Sequence, residues 1–216
     1  MAELAQLGSR IELVSMDRHF HDISLGLYER PAAEGVPEYL VHSYAGRDGV
    51  GERIEFIMRA MRALGGMEAA PGGRLRFTCG GAHRAACKRL FIEASKLAAD
   101  DLPEARPLTI HDRKSDCQIS VASLGAGAYR VATENQGESQ AEGVGRRLKA
   151  IAGGLRKLGE MTESGGEDEA AFGCGSAHDA LVGMLLVRAL NVRAVIREED
   201  AAAASGVMAA PGAESV

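Results

Sequence analysis

One amphipathic segment dominates the hydrophobic pattern of the chain, and the chain carries it twice. Between Gly49 and Met67 the apolar positions recur at helical spacing along one stripe, and charged residues occupy the opposite side. Residues 143–161 repeat this segment without a gap, and nine of the nineteen aligned positions are identical. The pattern predicts two equivalent amphipathic helices, each packed against a sheet.

Runs with period-two or β-branched character flank both helices and predict strands. The predicted strands cover residues 11–17, 21–28, 39–44 and 75–78 in the first half, and 108–113, 118–121 and 129–131 in the second. Gly125-Ala-Gly127 predicts a hairpin turn between the last two of these. A second helix is expected near the end of each half.

Because residues 172–178 match residues 77–83, a fourth strand is also expected before the last helix of the second half. Each half then has the order strand-strand-strand-helix-strand-helix, which predicts an α+β fold. We expect an internally duplicated two-layer sandwich, with the two halves related by a pseudo-twofold axis. The first repeat is placed at residues 1–103 and the second at residues 104–200, because Pro103 and its neighbouring aspartates mark a boundary. A further strand is predicted at 192–198, and the Ala/Gly-rich residues 201–216 are predicted to be a disordered tail.

Composition narrows the class of protein. Apolar residues make up 46% of the chain and charged residues 25%, which is typical of globular proteins, and the absence of tryptophan implies an aliphatic core. A net charge of −5 argues against a nucleic acid or an anionic membrane as partner. No apolar run is long enough for a membrane span, and no signal peptide is recognised. We therefore expect a cytoplasmic protein with reduced cysteines.

The clearest chemical signal is a turn that occurs in both halves. Cys79-Gly-Gly-Ala-His83 and Cys174-Gly-Ser-Ala-His178 occupy matching places between a strand and a helix. A cysteine at a helix N-terminus is expected to have a lowered pKa, and a histidine four residues later lies near the same helix face. Each pair can serve as nucleophile and base, as two metal ligands, or simply as close packing at a strand-to-helix connection. The sequence leaves these alternatives open and identifies neither a metal nor another cofactor.

Each repeated amphipathic helix begins with a pair of glycines that an arginine follows. Such a segment can cradle a phosphate or carboxylate at a helix N-terminus, although neither copy matches a complete phosphate-binding motif. Alternatively, the glycines permit close packing and the arginines are solvated. The residues are Gly49, Gly51 and Arg53 in the first half, and Gly143, Gly145 and Arg147 in the second.

Two smaller features lie on the first predicted strands. His19, His21 and Asp22 form a cluster that could ligate a metal. The neighbours Asp112 and Arg113 are interpreted as a structural ion pair at the edge of a sheet.

The last predicted helix, Ala180 to Leu190, is apolar on nearly every side, and Arg188 is its single charged residue. Eleven residues are too few to span a membrane, so the helix must be buried within the chain or between subunits. We expect a homo-oligomer that assembles through this helix.

Two functions of different classes follow from these features. The first is a cytosolic enzyme or small-ligand-binding protein that uses the two Cys–His turns, with Arg53 or Arg147 contacting a small anionic metabolite. The alternative is a non-catalytic assembly module in which the apolar last helix forms the interface. The identical placement of histidine in both turns favours the first, because packing alone does not require it.

Overall fold

A computed structural model describes residues 11–18, 23–31, 35–43, 48–98, 104–133 and 141–191. Within these ranges the chain forms nine strands and four helices, and all strand pairs are antiparallel. The predicted α+β class is confirmed. The strand predicted at 192–198, the tail at 201–216 and the boundary at Pro103 lie outside the described residues.

The first sheet is built from residues of the first half. Its strands are β1 (Ile11–Arg18), β2 (Ile23–Pro31), β3 (Pro37–Ser43), β4 (Met67–Ala70) and β5 (Arg74–Phe77). Their order across the sheet is β1-β2-β3-β5-β4. Leu27 pairs with Val41, and Tyr39 pairs with Leu75. These four side chains are buried, so they define the face of the sheet that packs on the helices.

The second sheet has four strands in sequence order. They are β6 (Thr109–Asp112), β7 (Cys117–Gly125), β8 (Ala128–Thr133) and β9 (Glu169–Ala171). The predicted hairpin joins β7 to β8, and its central residues Ala126 and Gly127 have φ angles of 47° and 73°. Two successive positive φ angles are typical of the tight turn that matches the twist of paired strands.

Four helices complete the fold, namely α1 (Val50–Gly65), α2 (Arg84–Lys96), α3 (Ala141–Gly159) and α4 (Asp179–Ala189). Gly66 ends α1 with a left-handed φ of 61°. Helix α1 packs on β3 and β4, and α3 packs on β8 and β9. One hydrophobic cluster contains residues from both sheets and all four helices. Of the helices in the described ranges, none is long and apolar enough to cross a membrane.

Helix α4 buries most of its apolar side chains against its own chain and leaves Val187 exposed. It packs against α3, α1 and α2, and Leu181, Leu185 and Leu186 have no exposed surface. Gly183 permits the close approach of the segment that precedes β6, because a Cβ there would clash with the carbonyl oxygen of Arg106. The apolar character of the helix is therefore explained by burial within the chain. Oligomerisation through this helix stays a prediction.

Two details differ from the sequence predictions. Strand β4 was not predicted, because its four residues lie between Gly66 and the turn at residues 71–73 and show no pattern long enough to identify. Asp112 pairs with Arg147 of α3 and not with the adjacent Arg113, since its carboxylate accepts two hydrogen bonds from Arg147, at 2.8 and 2.9 Å. Asp112 is the last residue of β6, and Arg113 already lies in the turn that follows the strand.

The ion pair of Asp112 and Arg147 predicts an acid-dependent loss of stability. Arg147 holds the pKa of the Asp112 carboxyl well below its usual range. The ion pair therefore contributes its full stabilisation above about pH 4, the pKa of the carboxyl in the unfolded chain. This contribution is lost as the pH falls below that value. In Asp112→Asn we expect urea denaturation at pH 7 to show a loss of about 3 kcal/mol. The loss should shrink at pH 3.

The matched control for this variant is Glu167→Gln, which breaks an exposed ion pair with Lys149. Urea denaturation of this control should show little change at either pH, because exposed pairs contribute little. Equal effects of the two substitutions would contradict the role given to Asp112.

Packing of α4 within its own chain predicts a large cost of truncation. Leu185→Ala should lower the free energy of unfolding by about 2–5 kcal/mol, because it leaves a cavity among the helices. Leu124→Ala is the control, since Leu124 is 46% exposed and should be nearly neutral. Urea denaturation measures the stability of both variants. Sedimentation of Val187→Lys tests oligomerisation, because Val187 is 36% exposed on α4, and a fall in mass relative to the wild type would support an interface there.

Candidate metal centre

Each Cys–His segment leaves its strand through the same tight turn. The N–H of Gly80 donates to the carbonyl of Phe77 at 3.0 Å, and the N–H of Gly175 donates to that of Phe172 at 3.2 Å. Gly80 and Gly175 have φ angles of 73° and 71°. This left-handed conformation favours glycine, which explains why both segments carry glycine directly after the cysteine.

The cysteines lie further from the helix starts than the sequence predicts. Helix α2 starts at Arg84 and α4 at Asp179, so Cys79 and Cys174 lie in the connecting loops and not in a first helical turn. Each histidine is the residue immediately before its helix. The pairing of cysteine with histidine therefore arises from the loop conformation and not from a shared helix face.

The two turns converge on one centre. Sγ of Cys79 lies 3.1 Å from Nε2 of His83, and Sγ of Cys174 lies 3.2 Å from Nε2 of His178. The ring centroids of the two histidines are 4.6 Å apart. One ligand atom from each of the four residues lies within 4.8 Å of all the others. The structure thus joins two pairs that are 95 residues apart in sequence.

Two phenylalanines form an apolar wall around the imidazoles. The centroid of Phe77 lies 5.0 Å from that of His83 and 5.9 Å from that of His178. The centroid of Phe172 lies 4.9 and 5.0 Å from the same two rings. Each phenylalanine contacts a histidine of both halves at nearly perpendicular ring planes. The wall restricts how the imidazoles can rotate.

Backbone N–H groups point at both sulfur atoms. Gly81 donates to Sγ of Cys79 at 3.2 Å, and Ser176 donates to Sγ of Cys174 at 3.4 Å. Such donors stabilise a thiolate when it serves as a ligand. A Cβ at Gly81 would lie 2.9 Å from Nε2 of His83, so this glycine keeps the centre open.

Two tyrosines that sequence analysis did not assign to the site also contact the turns. The hydroxyl of Tyr39 donates to the carbonyl of Ala82. The hydroxyl of Tyr129 accepts the backbone N–H of His178 at 2.5 Å and donates to Asp179 at 2.9 Å. The available signal was the alignment of the two repeats, which places Tyr39 and Tyr129 at corresponding positions of β3 and β8.

Burial shifts the pKa values of both histidines and of Cys79. It lowers the pKa of His83 to about 4, with a further contribution from His178. Burial also lowers the pKa of His178, against the opposing effect of Asp179. Both imidazoles are therefore neutral at pH 7. Burial raises the pKa of the Cys79 thiol, which the Gly81 N–H opposes and nearby Cys174 reinforces. The expected lowering of this pKa by a helix N-terminus is wrong for Cys79, because α2 begins five residues later.

The predicted anion-binding arginines lie away from this centre. Arg53 donates to the carbonyls of Ser95 and Leu97, both at 2.8 Å, at the C-terminal end of α2. Besides its pair with Asp112, Arg147 donates to the carbonyl of Leu190 at 2.9 Å, at the end of α4. The lengths of α2 and α4 separate these contacts from the histidines by about 15–20 Å. The structure does not bring the arginines to the Cys–His turns.

The glycines that precede these arginines occupy different positions in the two halves. Gly49 is the residue before α1, with a φ of 80°, and Gly51 lies in the first turn. Gly143 and Gly145 lie inside α3, which begins at Ala141. The two segments thus do not form equivalent cradles at a helix start. His19, His21 and Asp22 lie outside the residues that the structure describes.

Burial predicts different reactivities of the cysteines in the metal-free protein. Cys79 and Cys174 are partly exposed, whereas Cys87 has no exposed surface and burial raises the pKa of its thiol. In a Cys117→Ser background, iodoacetamide should label Cys79 and Cys174 in the native state and Cys87 only after denaturation. Mass spectrometry of the labelled peptides over time measures this. Labelling of Cys87 as fast as Cys174 would contradict the assignment.

Comparison with known proteins identifies no relative of this chain. The chain matches no protein-family description, no curated protein and no solved structure. The function must therefore be argued from the site itself.

Proposed function

We propose that the protein binds one zinc ion through Cys79, His83, Cys174 and His178. The observation that carries this proposal is the convergence of four ligand atoms within 4.8 Å of one another. Bond lengths of about 2.3 Å to sulfur and about 2.0–2.1 Å to nitrogen place neighbouring ligands of a tetrahedral zinc roughly 3.3–3.8 Å apart. The Cys–His separations of 3.1 and 3.2 Å need only a small adjustment to reach that range.

The chemistry of the ligands favours zinc. Two thiolates and two neutral imidazoles form a common set for structural zinc, and the two negative charges balance those of the ion. The small separation of the four atoms fits a single ion. Four protein ligands complete a tetrahedron and leave no position for a substrate, so the proposed role is structural and not catalytic. The ion would fasten the two halves of the chain together.

The same contacts support an internal duplication, with repeats at 1–103 and 104–200. Arg53 and Arg147 both bond carbonyls at the end of the second helix of their own half. Corresponding phenylalanines and tyrosines also contact corresponding turns. We propose that a pseudo-twofold axis passes through the metal centre, relating one Cys–His pair to the other.

Thiol catalysis is a second candidate, supported by one specific observation. Each cysteine sulfur lies within hydrogen-bonding distance of a neutral imidazole, as a nucleophile and its general base would. A catalytic Cys–His pair needs no second pair beside it, however. Thiol catalysis therefore does not explain why the two pairs meet. A small anionic ligand, a homo-oligomer and a cytoplasmic location remain proposals that the zinc site neither requires nor opposes.

Zinc binding is tested by stoichiometry and spectroscopy. The metal-free protein should take up one zinc per chain in equilibrium dialysis and gain thermal stability, because an ion that binds only the folded state stabilises it. Cobalt(II) in place of zinc should show tetrahedral ligand-field bands and thiolate charge transfer. Zinc should also protect Cys79 and Cys174 from iodoacetamide. Two independent catalytic thiols would not be expected to show this protection.

Two matched pairs of variants control this test. Cys174→Ser should weaken zinc binding by about 100-fold or more, since it removes a ligand, whereas Cys117→Ser should bind as the wild type does. Gly81→Ala should also weaken binding, because its methyl group approaches His83, and Ser176→Ala should not. The proposal would be refuted if the wild type bound no stoichiometric zinc and if both thiols of the native protein were labelled rapidly in the presence of added zinc. This outcome would favour thiol chemistry.

A further inference from the structure

Two fully buried phenols reach the ligand turns from the interiors of the two sheets. Tyr39 belongs to β3, which lies between β2 and β5, and Tyr129 belongs to β8, which lies between β7 and β9. Both side chains have no exposed surface. Central strands are among the most rigid parts of a fold, so these hydroxyls are fixed points from which the turns can be held.

Their hydrogen bonds end on the backbone next to the ligands. Tyr39 donates to the carbonyl of Ala82, the residue immediately before His83. Tyr129 accepts the N–H of His178 itself, at 2.5 Å, and its own proton goes to Asp179 at 2.9 Å. Each hydroxyl therefore restrains the peptide that carries a histidine, without contacting any of the four ligand atoms.

Packing explains the aromatic rings but not their hydroxyls. The Tyr39 ring contacts Phe77 with centroids 5.9 Å apart, and the Tyr129 ring contacts Phe172 at 6.4 Å. Phenylalanine could make both contacts. The turns are rich in glycine and gain little conformational restraint from their own residues. A hydrogen bond from outside the turn therefore adds restraint to the backbone of each histidine.

We infer that Tyr39 and Tyr129 are positioning residues that hold the two histidines in the arrangement that receives the metal. This inference rests on the proposed zinc site. Groups that orient a ligand from outside the coordination sphere change metal affinity by about 10–100-fold when they are removed. Tyr129 has the stronger role, because its hydroxyl bonds the ligand residue directly and is itself oriented by Asp179.

The test uses the full chain with Tyr129→Phe and Tyr39→Phe, and with Tyr28→Phe as the matched control. Tyr28 is also buried, but it alternates with Leu27 on β2 and lies on the opposite face of the sheet. Zinc affinity is measured by competition with a chromophoric chelator, and site geometry by the cobalt(II) spectrum. Urea denaturation gives the stability of the metal-free and zinc-loaded forms.

We expect Tyr129→Phe to lower zinc affinity by about 10–100-fold and to shift or broaden the cobalt bands. Tyr39→Phe should act in the same direction by a smaller factor, and Tyr28→Phe should leave affinity and spectrum unchanged. The gain in stability that zinc provides should shrink in both site variants. A role in packing alone would lower the stability of both forms equally and leave zinc affinity unchanged, which would overturn the inference.

A second variant covers the case in which Tyr129→Phe does not fold. Asp179 is exposed and its negative charge also acts on His178, so Asp179→Asn, which keeps an acceptor oxygen, serves as the control for loss of that charge. Asp179→Ala keeps the packed ring and removes both the charge and the acceptor that orients the hydroxyl. It should lower zinc affinity by less than Tyr129→Phe and alter the cobalt spectrum in the same direction. Wild-type affinity and spectrum in Asp179→Ala would overturn the role of Tyr129. Failure of the wild type itself to bind zinc or cobalt would instead refute the zinc site, and the inference with it.

Discussion

The meeting of two Cys–His turns at one point constrains the arrangement of the whole chain. For His83 and His178 to approach within 4.6 Å between ring centroids, α2 and α4 must begin at the same place. Arg53 and Arg147 fix the opposite ends of these helices through carbonyls beyond their last turns. Both helices are thus held at both ends, and the sheets supply the fixed supports.

The centre gathers polar groups in a place where they are costly to bury. Neutral imidazoles and thiols tolerate the apolar wall of Phe77 and Phe172, but two thiolates would not without a cation to balance them. Ring contacts, backbone donors and phenol hydroxyls all restrict the same few side chains. Restriction before binding lowers the entropic cost of ordering the ligands, which is the advantage that a preorganised site has over a flexible one.

Hydrophobic periodicity and turn residues predicted the α+β class and most of the strands and helices. The long apolar stripe of α1 and the glycine turn at residues 125–127 correctly predicted a helix and a hairpin. Strand β4 was too short to leave a pattern. The sequence also identified the four Cys and His residues, because each pair recurs at the same spacing. It could not show that the two pairs meet, since that distance depends on the docking of segments 95 residues apart.

The spacing of residues along the chain gave wrong predictions where the conformation of a loop determines which side chains meet. A histidine four residues after a cysteine suggested a shared helix face, but left-handed glycines bend the chain so that the pair meets before the helix begins. Arginines after glycine pairs suggested an anion site, yet carbonyls at distant helix ends take their hydrogen bonds. Such contacts are set by tertiary packing and have no signature within a short window of sequence.

The distance in sequence between the two ligand pairs has a consequence for synthesis of the protein on the ribosome. At about 5–20 residues per second, the second pair emerges roughly 5–20 s after the first. During that interval Cys79 and His83 are present without half of their centre. The four groups cannot come together until Cys174 and His178 have also been synthesised. The centre is therefore completed only late in the synthesis of the chain.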